Sequence, residues 1–167
     1  MTCEFDESMI EFGEAIQLSN YSLGGRVRLW HRTMPYSDGT PHDEAFVAAC
    51  AELSGDGMTA TIRGIMLDTV GGRSLPHFLD TLVADFAGWD GIRTWESLNH
   101  ELRIDAEHLR LGHVQLDWSL TQGPAVDQNA WTATTTTALE AGEQLRQFAA
   151  AVRKFLRPGI PANQELG

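Results

Sequence analysis

The sequence predicts an α+β domain: a mostly antiparallel, curved sheet of about six to seven strands, with two amphipathic helices, Ser74–Ala87 and Glu140–Leu156, packed on it. Three observations predict it. Leu75, Phe78, Leu79, Leu82, Val83 and Phe86 recur at helical spacing and form one apolar stripe. Leu102, Ile104 and Ala106, and then Val114, Leu116, Trp118 and Leu120, alternate strictly with polar residues, as in a hairpin with one buried face. No strand–helix–strand alternation and no internal repeat is visible. Two helical stripes must therefore be buried on an antiparallel sheet.

In chain order, residues 1–14 read as a flexible acidic arm. Ala15 to Ser19 alternates as a first strand, and Gly24-Gly25 turns the chain. Arg26 to Thr33 forms a second strand with Val27 and Leu29 on one side and Arg28, Trp30 and Arg32 on the other. The segment 35–43, with two prolines and Asp38-Gly39, is a loop. Glu44 to Leu53 is apolar on both sides and so reads as a covered strand. Ser54-Gly55-Asp56-Gly57 signals a hairpin to Met58–Leu67, where Gly64 marks a bulge.

Ser74 is the expected N-cap of the first helix, with Pro76 in its first turn and Gly88 just past its end. A Trp-rich connector leads to the hairpin Leu98–Ala106 and Val114–Leu120, which turns near Arg110-Leu111-Gly112. Thr-rich Ala130–Thr136 is a last strand. Thr137-Ala138-Leu139-Glu140 fits a capping box for the second helix, which Pro158 stops. Residues 15–157 thus form a single α+β domain, and 158–167 a disordered tail.

The 167 residues suit one domain, which buries roughly 70% of its unfolded surface. Against 12 Lys and Arg stand 23 Asp and Glu, a formal net charge of −11. That balance repels nucleic acid and anionic membranes and attracts basic partners. No apolar run has the ~18 residues of a membrane span. The acidic beginning does not resemble a secretory signal, so a cytoplasmic location is expected. Two cysteines make no disulfide framework, and Cys50 in an apolar strand reads as a buried thiol.

Catalytic motifs are missing. There is no Gly-x-Ser-x-Gly elbow, no phosphate loop and no helical His pair. His100, His108 and His113 lie along the hairpin and are the candidates for a metal, although their alternation points them to different faces. The expectation is no cofactor and no metal.

The remaining feature is Trp89-Asp90 with Trp95-Glu96. Packing under the first helix accounts for Trp89. Alternatively, an aromatic beside fixed negative charge is an anchor for a basic protein. On that reading Trp89, Asp90, Trp95 and Glu96 are the binding residues.

The pattern Gly88-Trp89-Asp90-Gly91-x-Arg93-Thr94-Trp95-x-Ser97-Leu98, followed by Glu101-Leu102, Gly112-His113-Val114 and Gly142-Glu143-Gln144-Leu145, resembles a family of small uncharacterised proteins found mainly in actinobacteria. The order of elements is loosely similar to that of WapI-type immunity proteins. That resemblance implies a non-enzymatic inhibitor that occludes a basic toxin domain. Two other expectations stand beside it: a small-molecule binder or hydrolase with a pocket between helices and sheet, and a homo-oligomeric structural subunit.

Overall fold

The computed structural model describes residues 15–20, 24–36, 45–123 and 130–157. The acidic arm 1–14, most of the loop 35–43 and the tail 158–167 lie outside the described residues.

Four antiparallel strands come first: β1 (Ala15–Asn20), β2 (Gly25–Thr33), β3 (Val47–Gly55) and β4 (Met58–Asp68), in the order β1-β2-β3-β4. Helix α1 (Ser74–Ala84) follows. A second sheet of β5 (Ile92–Glu96), β6 (Leu102–Leu109), β7 (His113–Gln122) and β8 (Trp131–Glu140) has the order β5-β6-β7-β8, and helix α2 (Glu143–Leu156) follows it. The described residues therefore form eight strands in two sheets, not one sheet of six to seven. The same succession of four strands and a helix occurs twice. The sequence hid this because β5, Ile-Arg-Thr-Trp-Glu, buries only Trp95 and so does not alternate.

Each sheet has one apolar face, and the two apolar faces need a cover. They find it in each other and in the two helices. β8 packs against β2 and β3, α2 against β1 and β8, and α1 against α2 and β4. One continuous buried cluster joins Ile16, Leu29 and Leu53 of the first sheet to Leu79 of α1, Leu116 and Trp118 of the second sheet, and Val152 of α2. The sheets are also tied by hydrogen bonds. Thr135 Oγ1 donates to Ser54 O at 3.0 Å, and Leu98 N to Met66 O at 3.1 Å. At Gly25 the approach is so close that a Cβ would lie 2.1 Å from Thr136 O.

The first hairpin matches its signal: Gly55 pairs with Met58 across Asp56-Gly57. The bulge expected at Gly64 is present, since the register passes from Ala51↔Ile62 to Ala49↔Ile65. The caps differ from the sequence reading. Ser74 is the first helical residue of α1, and its Oγ accepts from Trp95 Nε1 at 3.2 Å. The capping work falls to the buried Asp68. Its Oδ1 accepts from Val70 N at 3.0 Å and Gly72 N at 2.8 Å, and its Oδ2 from Ser74 N at 2.9 Å. The capping box also fails, because Thr137 is a fully buried strand residue whose Oγ1 accepts from Trp118 Nε1 at 2.9 Å. With its hydroxyl used there, β8 runs on to Glu140 and α2 begins at Glu143, not Glu140.

Helix α2 ends with Arg153 and Lys154 in its last turn, which suits the negative end of the helix dipole. Arg32 Nε of β2 donates to Leu156 O at 2.7 Å, and burial pushes this guanidinium below its ordinary value. Arg153 is also ion-paired to Asp80 of α1. Trp30 and Cys50 form a small buried cluster apart from the main core, so the Arg–Trp face of β2 is not open. Cys50 is disulfide-bonded, not the thiol the sequence suggests. The other cysteine, Cys3, lies outside the described residues. Among the described residues no helix is long and apolar enough to cross a membrane.

Candidate functional site

The apolar stripe of the first helix continues through Phe86, but the helix does not. It stops at Ala84, where Asp85 leaves helical geometry while its N–H still reaches Thr81 O. Gly88 then turns the chain at φ 134°, a conformation open to glycine. Phe86 is thereby carried out of the core and is 60% exposed. Its carbonyl is held by His108 Nε2 at 3.0 Å, which ties the end of α1 to the end of β6.

Trp89 lies in the corner this makes. Its ring meets His108 edge-on at 5.3 Å, and the Arg93 guanidinium sits 4.7 Å from its centroid. Arg93 is fixed in turn by Asp85 at 2.7 Å and Thr81 O at 3.2 Å. A cation over an indole face contributes about 0.5–1 kcal/mol at a partly exposed site, so Arg93 and His108 both hold Trp89. Its indole N–H makes no hydrogen bond among the described residues.

Opposite stands the turn Arg110-Leu111-Gly112 that joins β6 to β7. Leu111 has φ 69° and is 95% exposed. A leucine in left-handed geometry carries a steric cost of about 1–2 kcal/mol, and this one recovers nothing by packing. Phe86, Trp89, Asp90, His108 and Leu111 line an open cleft of about 700 Å³. Phe86 and Leu111 are thus exposed apolar side chains on the lining of the same cleft as Trp89.

Of the four residues singled out in the sequence, Trp89 and Asp90 lie in this cleft, with Asp90 exposed. Trp95 does not. It is 7% exposed, on the inner face of β5, and braces the start of α1 through Ser74. Glu96 lies on the outer face of the second sheet, where it accepts from Arg103 at 3.2 Å and holds His100 Nδ1 at 2.5 Å. That face also carries Asp105, Glu107, Asp117 and Glu140, with Asp105 directly opposite Asp117. Burial works to raise the Asp105 carboxyl. Hydrogen bonds from Arg103 and Thr94 outweigh it and hold the group below its usual range. Ile92, 65% exposed and opposite Glu107, is an apolar residue on this acidic face.

The three hairpin histidines do not converge. His100 sits in the β5–β6 turn, at the far end of β6 from His108, while His113 faces outward on β7. Eight residues of strand separate the two ends by roughly 25 Å. Among the described residues no three His, Cys, Asp or Glu side chains gather as a metal site. His100 is held by a carboxylate but is exposed; His108 faces the cleft but bonds a backbone carbonyl. Neither combines a carboxylate-held ring nitrogen with a place in the cleft.

Phe86 and Leu111 were missed by the sequence reading. Phe86 fitted the helical stripe too well. Leu111 could have been noticed as a bulky apolar residue at the centre of a tight turn, where glycine, asparagine or aspartate is usual.

No curated protein matches the chain. A family model does match, over residues 25–159, and the chain belongs to that family of unknown function, DUF6228.

Proposed function

We propose that this protein is a non-enzymatic, acidic protein-binding domain whose partner is a basic protein. The observation that carries the reading is the exposed pair Phe86 and Leu111 lining one cleft with Trp89. In this account Phe86, Leu111 and Trp89 are the anchors. Asp90 and the outward acids of the second sheet, Glu96 among them, steer the partner. Trp95 acts from inside, holding β5 against the start of α1. With a net charge of −11, encounter with a basic surface is fast at low salt and slows as salt is added. The specific form we favour is an immunity protein that occludes the basic substrate groove of a toxin such as a nuclease.

The test is capture of a basic partner by wild-type protein and by Phe86→Ser/Leu111→Ser. Both side chains are exposed, so the double variant unfolds within about 0.5 kcal/mol per site of wild type. Loss of a stoichiometric, salt-sensitive complex in the variant supports the site. An unchanged complex removes it. Trp89→Ala is a poorer probe, because Trp89 also packs on the core.

A further inference from the structure

A second concavity lies between α2 and β1, away from the cleft, and the inference from it does not rest on the protein-binding reading. It encloses about 490 Å³, within the range of small-molecule sites. Its floor is apolar: Ile16 and Leu18 of β1, Leu139 of β8 and Phe148 of α2. These four keep 7–9% exposure, whereas Leu53, Leu79, Leu116 and Val152 have none. The rim is amide, with Gln144 and Gln147, and ends at Lys154.

The charge of the lining is unusual for this molecule. The chain has 23 acidic residues, yet among the described residues none lines the groove. The single charge among the described lining residues belongs to Lys154, the only lysine in the chain. Among the described residues its ammonium has no ion-pair or hydrogen-bond partner. Gln144 and Gln147 precede Lys154 by ten and seven residues on α2, so the amides stand about 10–15 Å along the helix from the cation. An apolar trough with a cation at one end fits a ligand with a long apolar body and one terminal anion.

We propose that the α2–β1 groove binds an apolar monocarboxylate, with its hydrocarbon tail on Ile16, Leu18, Leu139 and Phe148 and its carboxylate on Lys154. The tail supplies most of the affinity by burial. The lysine supplies selection for an anion in a protein that otherwise repels anions.

Decanoate, below its micellar range, is titrated calorimetrically into the full chain. Decanol is the neutral comparison. Lys154→Gln removes the charge, and Ala151→Trp, at an exposed position lining the groove, fills it. The expected result is saturable binding of one decanoate. Lys154→Gln weakens it on the order of fivefold, the upper end for an exposed ion pair, and does not change the weaker binding of decanol. Ala151→Trp abolishes both. Thermal midpoints check that each variant is folded. With one lysine, reductive methylation gives a single lysine NMR signal, which moves with decanoate and not with decanol. The proposal is overturned by the absence of saturable decanoate binding. It is equally overturned by binding that both variants retain, or by decanol binding as tightly as decanoate.

Discussion

Asp68→Ala tests how the first helix is held. The carboxylate is 6% exposed and accepts from three backbone N–H groups, those of Val70, Gly72 and Ser74, at 2.8–3.0 Å. The Gly72 bond is buried and the other two partly buried. An orphaned buried donor costs about 1–3 kcal/mol, and donors that water can reach cost roughly 0.5–1 kcal/mol each. The sum is about 3 kcal/mol, which includes the loss of a negative charge at the positive end of α1. For a domain of this size that is a fall of about 6–12 °C in midpoint. Asp68→Asn keeps one acceptor oxygen and should lose about half as much. Urea unfolding followed by tryptophan fluorescence gives both values. Asp68→Ala within about 0.5 kcal/mol of wild type would refute the reasoning, as would an Asn variant as unstable as the Ala variant.

Gly25→Ala should destabilise by about 3 kcal/mol or more, because its Cβ would lie 2.1 Å from Thr136 O and force the sheets apart; denaturant unfolding measures it. Thr137→Val leaves Trp118 Nε1 buried without an acceptor and should cost about 1–3 kcal/mol in the same assay. Burial raises the Glu101 carboxyl above its ordinary range, so its ionised form is penalised in the folded state. The folded protein then binds a proton at higher pH than the unfolded chain does. Stability from this group is present below the unfolded value and lost as pH rises through the folded one. Glu101→Gln should therefore stabilise at neutral pH, and the gain should vanish in acid; midpoints of both proteins across that range check the sign.

Much of the architecture was legible in the sequence, and the lapses have physical causes. The β6–β7 hairpin and α2 were read from clean alternation and clean helical spacing, and both occur within a few residues of the expected bounds. β5 escaped because an edge strand with one buried residue has no period to detect. Thr137 looked like a cap because local pattern cannot show that Trp118, 19 positions earlier, takes its hydroxyl. The candidate site was half legible. Trp89 and Asp90 stood out by composition, but Trp95 was drawn into the core by its bond to Ser74. Phe86 became a surface residue only because the helix broke two positions before it. The groove under α2 could not be read at all, since it is formed by residues more than 120 positions apart.

The most direct test of the central claim is site-specific photo-crosslinking in lysate of the source cells. A photoreactive amino acid replaces Leu111 at the cleft and, as a control, Thr59 on the far sheet. One basic protein is expected to be joined in stoichiometric yield from position 111, less so at high salt, and none from position 59. Equal yields from both positions, or an acidic product from position 111, would contradict it.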